Sequence, residues 1–208
     1  MYVQGSGGNL LARSLALSEK TVAYLPEEFS QQQPYMRLSA TKRFEFYNNW
    51  DHSDWIKSES LRIWYKHRKQ DFVNYENSDL WLIDQFHPAM FQTETTKQVL
   101  WNTVNVWEYL IFIKYQPSSV ALIKKIAKLK RPDLLHVNQI DSTEISTFDN
   151  IQHDYSATVV NWEDMLKQTT YIDIVTQLSE KLNLSLDLTL VTKLWKSWKT
   201  STNKLLNE

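Results

Sequence analysis

The sequence predicts a three-layer α/β/α domain with a mostly parallel central sheet and a helical insertion. Apolar, partly β-branched runs recur along the chain and are separated by segments with helical spacing. The strongest run, Tyr-Leu-Ile-Phe-Ile at 109–113, is continuous, as in a central strand of a parallel sheet. The three glycines all fall between positions 5 and 8, between a short strand-like segment and an apolar helical pattern. Strands separated by helices throughout favour a parallel sheet with helices on both faces.

Length and composition limit the classes of protein to be considered. The 208 residues suit one domain, or one domain with an insertion. The formal net charge of −1 supplies no overall field for nucleic acid or an anionic membrane, so we expect neither as a partner. The sequence has no cysteine, which excludes disulfides, thiolate metal sites and a cysteine nucleophile. The histidines lack the spacing of a zinc motif, so we expect no metal.

The N-terminus and the apolar runs also bear on localisation. The first residues lack the basic segment and apolar run of a signal peptide. The longest apolar run, residues 109–113, is far too short to span a bilayer. We therefore expect a cytoplasmic protein.

The first half of the chain predicts two short strands and the insertion. Residues 2–3 are strand-like, and a helix follows from Leu10; residues 21–25 form a second strand that ends at Pro26. An aromatic-rich helical insertion covers about 40–78, with its first helix from Ser39 to Asn49. This insertion is either a substrate-binding element or a plain packing layer.

The second half predicts three further strands, each followed by a helical pattern. Residues 80–83 form a buried strand that leads to His87, and a short helix covers 93–102. After the strand at 109–113, a helix over 119–130 has Ser118 or Ser119 as its N-cap. The last strand, 157–162, leads into a helical region through residue 182. A final helix places its apolar residues on one face: Val191, Leu194, Trp195, Trp198 and Leu205.

The glycine cluster has the sequence context of a phosphate-binding loop. Between a strand and a helix, bare backbone N–H groups and the partial positive charge of the helix N-terminus both attract an anion. The alternative is a tight turn that needs a positive φ and binds nothing. The Walker pattern is not met, because no Gly-Lys-Ser/Thr follows Gly8, and no Gly-x-Ser-x-Gly elbow of an α/β hydrolase is present.

Three segments in this order resemble the sulfotransferase family of P-loop-like proteins. Gly-Ser-Gly-Gly-Asn at 5–9 takes the place of the family's Lys-Ser-Gly-Thr-Thr type loop. Residues 111–120 are similar to the family's strand followed by Arg-Asn-Pro-Lys-Asp-Val, with Pro117 and Val120 in register. Val-Val-Asn-Trp-Glu-Asp-Met-Leu at 159–166 is similar to the family's Tyr-Glu-Asp-Leu strand end. Weaker matches are 81–88 and Leu-Asn-Leu at 182–184, where the family has Leu-Gly-Leu.

The resemblance implies a P-loop-type fold and a 3′-phosphoadenosine-5′-phosphosulfate donor. The 5′-phosphosulfate would lie on the N-terminal loop and the 3′-phosphate near 115–119. A sulfuryl group would pass to the hydroxyl or amine of an unknown small-molecule or glycan acceptor. The donor-binding residues that it implies are Gly5, Ser6, Gly7, Gly8, Asn9, Leu10, Tyr115, Ser118 and Ser119.

The chain departs from the family pattern at several charged positions. The loop lysine is Gly5 here, the arginine that grips the 3′-phosphate aligns with Tyr115, and the late Arg-Lys-Gly segment is missing. Arg13, about one turn into the helix, could replace the lysine or be a surface arginine. Lys114, at the end of the central strand, could replace the arginine.

Other polar residues have two interpretations each. His87 is either the general base for the acceptor or a turn histidine before a proline. The basic run at 124–131 is either a solvated helix face or a phosphate patch. Glu163 and Asp164 are expected to cap or brace the helix after the last strand.

Three functional hypotheses follow. The first is a divergent sulfotransferase-like protein that binds a phosphorylated adenine nucleotide at residues 5–9. The second is a non-catalytic relative that uses the aromatic insertion to bind a partner or glycan. The third is a transferase that uses another nucleotide donor, such as a nucleotide sugar.

Overall fold

The computed structural model describes residues 7–22, 39–48, 81–82, 109–130 and 157–207. Its helices are α1 (Gly8–Leu15), α2 (Ala40–Tyr47), α3 (Val120–Lys130), α4 (Trp162–Met165), α5 (Gln168–Lys181) and α6 (Leu188–Asn207). Its strands are β1 (Thr21–Val22), β2 (Trp81–Leu82), β3 (Leu110–Lys114) and β4 (Ala157–Asn161). A 3-10 turn, Pro117–Ser119, precedes α3.

The described strands pair in parallel, as the alternation of strands and helices predicts. In one pair β1 lies beside β2, with Thr21 opposite Trp81. In the other pair β3 lies beside β4 along five residues, from Leu110 opposite Ala157 to Lys114 opposite Asn161. The mixed α/β class with parallel pairing is therefore confirmed, while one central sheet in three layers stays a prediction.

The chain divides into two compact units, and each contains one of the parallel pairs. The first unit contains β3, the 117–119 turn, α3, β4, α4, α5 through Tyr171 and α6 from Thr202. Its strands and helices share an apolar core of Phe112, Ile113, Ile123, Ile126, Ala127, Val160, Trp162, Met165 and Tyr171. In α3 the buried residues recur three and four positions apart, so this helix buries one stripe and leaves the opposite face in water.

The second unit contains α1 from Asn9, β1, α2, β2, α5 from Ile172 and α6 through Ser201. Its buried apolar side chains are Leu10, Leu11, Ala12, Leu15, Ala16, Leu17, Tyr47, Val175, Leu178, Leu182, Leu184, Leu190, Val191, Leu194 and Trp198. The predicted face of the final helix is confirmed at Val191, Leu194 and Trp198, and Trp195 is half-buried. The side chain of Leu205 lies outside the described residues.

The connection from α5 to α6 is built from local hydrogen bonds. Asn183 has φ 50°, and the amides of Asn183 and Leu184 return to the carbonyls of Glu180 and Ser179 at 3.1 and 2.8 Å. This Schellman ending places a left-handed residue where glycine is favoured, and asparagine is the next most tolerant residue there. Asp187 then caps α6, because its Oδ1 accepts from the amides of Thr189 and Leu190 at 2.8 and 3.3 Å.

Several element boundaries differ slightly from the sequence prediction, and two of these differences change the type of structure. Trp162 was expected to end the last strand, but it begins α4 and its side chain is 1% exposed. Burial of this indole in the core of the first unit favours the helical turn at that point. Ser119 was expected to begin a helix, but a 3-10 turn intervenes before Val120.

Several predicted elements fall partly or wholly outside the described residues. Of the strands at 21–25 and 80–83 the structure describes 21–22 and 81–82, and of the insertion at 40–78 it describes α2. The helix at 93–102 lies outside them. A single domain with a helical insertion stays a prediction.

Candidate functional site

The glycine loop enters α1 through a left-handed residue. Gly7 has φ 77°, and Gly8 is buried and begins the helix. A residue with a Cβ costs about 1–2 kcal/mol more than glycine in this conformation. A left-handed residue followed by a right-handed one turns successive N–H groups toward one concavity, which is an anion-binding arrangement. Gly5 and Ser6 lie outside the described residues, and Asn9 is exposed.

Helix α1 is held by burial of its apolar side chains from the first turn to the last. Leu10 is 0% exposed, and Leu11 and Leu15 are both 4% exposed. The Leu10 side chain is therefore part of the core of the second unit. Only the backbone of Leu10 can take the donor-binding role that the resemblance implies.

Arg13 is buried, so the alternative of a surface arginine is wrong. Its side chain is 2% exposed, and its Nη1 donates to the carbonyl oxygen of Tyr47 at 2.6 Å. This bond joins α1 to the end of α2. A phosphate-binding role for Arg13 stays a prediction, while the contact shown is with a backbone carbonyl.

Arg43 is a second buried arginine, and the sequence analysis did not single it out. Its Nη1 donates to Ala16 O at 2.9 Å, to Thr21 O at 2.9 Å and to Thr21 Oγ1 at 3.0 Å. Arg43 thereby ties α2 to the segment between α1 and β1. Burial lowers the pKa of Arg43, and the neighbouring Tyr47 and Glu19 oppose that shift. The available signal was its position, three residues after Ala40 and four before Tyr47, which places the three on one face of the predicted helix.

Tyr47 lies close to both arginines. Its side chain is 3% exposed, and burial raises its pKa to about 12. The charges of Arg43 and Arg13 act in the opposite direction, but burial dominates. The phenol is therefore neutral at physiological pH. The two arginines and Tyr47 form a buried polar cluster behind α1, where they hold the helix that follows the glycine loop.

The turn at the end of β3 is occupied by a carboxylate of the same chain. Glu163 Oε1 accepts from the backbone N–H of Gln116 at 2.9 Å and from the hydroxyl of Ser119 at 2.5 Å. The carboxyl ends of β3 and β4 meet at this edge, which is where open parallel sheets bind ligands. The resemblance places the 3′-phosphate at this turn, so a phosphate there would compete with Glu163 for the same two donors.

The hydrogen bonds shown for Glu163 go to the turn after β3, while the residue itself lies in the first turn of α4. A bracing role in that helix stays a prediction. The hydroxyl of Ser119 donates to this carboxylate, and the residue that directly precedes the 3-10 turn is Gln116. Asp164 does serve its own helix: it accepts from Nδ2 of Asn161, the N-cap residue, at 3.1 Å.

The other residues predicted near this edge lie at the ends of the strands or just after them. Lys114 is the last residue of β3, opposite Asn161, and it is half-buried. Tyr115 is half-buried and Ser118 is exposed. The structure thus places Lys114, Tyr115, Ser118 and Ser119 on one short segment, with the Glu163 carboxylate against part of it.

One lysine of the basic run contacts the end of another helix. Lys125 Nζ donates to the carbonyl oxygen of Leu206 at 3.0 Å, in the last turn of α6. A cation stabilises a helix C-terminus through the helix dipole. Lys125 and Lys128 are exposed, which both interpretations of the basic run allow, so the choice between them stays a prediction. The side chain of Lys130 and all of Arg131 lie outside the described residues.

The predicted general base lies outside the part of the chain that the structure describes, as do the other four histidines. Within residues 7–22, 39–48, 81–82, 109–130 and 157–207, no three acidic or histidine side chains are grouped to hold a metal ion. In those same ranges, no helix has the length and apolar character needed to cross a membrane.

Comparison with protein-family models, with curated proteins and with solved structures finds no match to this chain.

Proposed function

We propose that this chain binds a phosphorylated adenine nucleotide through the backbone of residues 5–9. The observation that carries the proposal is Gly7 at φ 77° directly before α1. This geometry turns consecutive N–H groups inward, and the N-terminus of a helix adds a partial positive charge. The resemblance to sulfotransferases supports a 3′-phosphoadenosine-5′-phosphosulfate type of donor.

The reaction that the resemblance implies is transfer of a sulfuryl group. An acceptor oxygen or nitrogen forms a bond to sulfur as the bond from sulfur to the phosphate oxygen breaks. The electron pair of that bond leaves with the phosphate, and the acceptor proton passes to a base. His87 is the residue proposed for that base. Backbone N–H groups at residues 5–9 would stabilise the charge that develops on the leaving phosphate.

Binding without transfer is the second candidate, and the position of Arg13 favours it. Gly5 stands where the sulfotransferase loop has its lysine, and Arg13 is the nearest arginine in sequence. The guanidinium of Arg13 is buried and bonded to the carbonyl of Tyr47. A loop that binds phosphate through backbone groups alone holds a nucleotide but stabilises less leaving-group charge.

Calorimetry with adenosine 3′,5′-bisphosphate, adenosine 5′-phosphate and a nucleotide sugar tests the proposal. We expect an adenine nucleotide to bind and Gly7→Val to weaken binding at least about tenfold, because a β-branched residue disfavours positive φ. Gly7→Asn is the matched control, since asparagine tolerates the left-handed conformation and keeps the backbone N–H groups in place. Urea unfolding of each variant separates lost binding from lost folding.

Each outcome bears on a different part of the proposal. Failure of every adenine nucleotide to bind would refute the proposal and leave the non-catalytic relative. Preferential binding of the nucleotide sugar would favour a different transferase. If His87→Ala binds nucleotide and transfers the sulfuryl group as fast as the wild type, His87 is excluded as the base.

A further inference from the structure

We propose that Glu163 makes the turn at the carboxyl end of β3 selective against anions, so that a ligand places a hydroxyl group there and not a phosphate. Where it concerns nucleotides, this inference rests on the proposed binding at residues 5–9. The favoured nucleotide then gains nothing from a phosphate on the ribose 3′-oxygen, which differs from the 3′-phosphorylated donor that the resemblance implies.

The turn has the donors of an anion site, but the chain supplies its own anion. The N–H of Gln116 and the hydroxyl of Ser119 both point at Oε1 of Glu163, at 2.9 and 2.5 Å. Hydrogen bonds to an ionised carboxylate are stronger than those between neutral groups. An incoming phosphate must therefore break two charge-assisted bonds before it reaches either donor.

A phosphate that displaced the Glu163 carboxylate from the turn would still lie close to it, so two anions would be near each other. Glu163 is the second residue of α4 and directly follows the buried Trp162, so the core of the first unit limits its backbone position. Asp164 is the next residue and adds a second negative charge at the same helix start. Like charges at hydrogen-bond range repel even at a solvated surface.

A hydroxyl group fits the same turn without these costs. Both bonds shown for Glu163 use Oε1, and its side chain is half-buried, so Oε2 can accept from a ligand hydroxyl. A carboxylate is an acceptor with several lone-pair positions. Glu163 is therefore a specificity-determining residue, because its carboxylate accepts a hydrogen bond from a ligand hydroxyl and repels a phosphate at the same place.

The test uses two ligand series on the full chain, with two variants and a matched control. Adenosine 5′-phosphate and adenosine 3′,5′-bisphosphate differ only in the 3′-phosphate, and their affinities are compared by calorimetry. Inorganic phosphate is titrated separately while the amide resonance of Gln116 is followed by NMR. Glu163→Gln removes the charge but keeps an acceptor oxygen, Glu163→Ala frees both donors, and Asp164→Asn removes an equal charge one residue away.

We expect the wild-type chain to bind the bisphosphate no more tightly than the monophosphate. In Glu163→Gln the bisphosphate should gain about tenfold over the monophosphate, whereas Asp164→Asn should change this ratio little. Phosphate should leave the Gln116 resonance unmoved in the wild type and shift it saturably in Glu163→Ala.

The inference is overturned if phosphate shifts the Gln116 resonance saturably in the wild type. Equal gains in Glu163→Gln and Asp164→Asn would also overturn it, because a general charge effect would then account for both. If no adenine nucleotide binds, the proposed function fails, but the phosphate titration of Gln116 still decides the role of Glu163.

Discussion

Replacing Arg43 with methionine tests whether the buried arginines hold α1 and β1 in place. Arg43 is 5% exposed and donates to Ala16 O, Thr21 O and Thr21 Oγ1. Thr21 Oγ1 itself lies 3.3 Å from Ala16 O and 2.7 Å from Ser18 O, so part of this network remains when the guanidinium is removed. We count the loss as two full bonds at about 1.5 kcal/mol each, which gives about 3 kcal/mol of unfolding free energy.

Urea unfolding followed by tryptophan fluorescence measures this loss, since the chain has nine tryptophans. With a slope of about 2 kcal/mol/M, the midpoint should fall by about 1.5 M while the slope stays constant. Lys42→Met is the matched control on the same helix. Lys42 pairs with Glu45 at 2.9 Å, but their side chains are 61% and 55% exposed. A surface pair of this kind contributes about 0.5 kcal/mol or less.

The reasoning would be refuted if Arg43→Met lost less than about 1 kcal/mol, below the value of a single buried bond to a charged group. It would also be refuted if Arg43→Met and Lys42→Met lost the same amount. Either result would mean that removing the desolvation cost of the buried guanidinium offsets the lost hydrogen bonds.

Two further predictions concern Tyr47 and Asp187. The pKa of Tyr47 is about 12 in the folded chain against 10 for an ordinary tyrosine, so the folded state holds this proton more tightly. Its contribution to stability is complete below pH 10 and is lost at about 1.4 kcal/mol per pH unit up to about pH 12. The difference in unfolding free energy between wild type and Tyr47→Phe should follow that course, and a constant difference would contradict it. Asp187→Ala should cost about 1 kcal/mol by removing the cap of α6, with Thr192→Ala as a mid-helix comparison and urea unfolding as the measurement.

Local patterns in the sequence were sufficient for much of the secondary structure. The apolar run predicted as a strand at 109–113 lies in β3 from Leu110 onward. The predicted apolar face of the last helix is the buried face of α6 at Val191, Leu194 and Trp198. These predictions succeed because periodicity reports which side of an element is buried, whatever lies against it. At the end of α5, Asn183 adopts φ 50°, a conformation that asparagine tolerates because of its own residue type.

The candidate site was less accessible to this reasoning. The glycine cluster was singled out because three glycines in four positions are informative by themselves. Gly7 adopts a positive φ, which both a phosphate-binding loop and a tight turn use, so phosphate binding there stays a prediction. The hydrogen-bond partners of the charged side chains could not be identified from the sequence. Glu163 and the turn that it binds are separated by 47 residues for Gln116 and 44 for Ser119.

The sequence by itself determined that this chain alternates strands and helices and that its glycines precede a helix. Only the tertiary structure decided that Arg13 and Arg43 are buried and bonded to backbone carbonyls, and that a carboxylate occupies the turn after β3. The physical reason is that burial of an apolar stripe follows from one element's own spacing. The partner of a charge depends on which distant carbonyl, hydroxyl or amide the fold brings within about 3 Å of it.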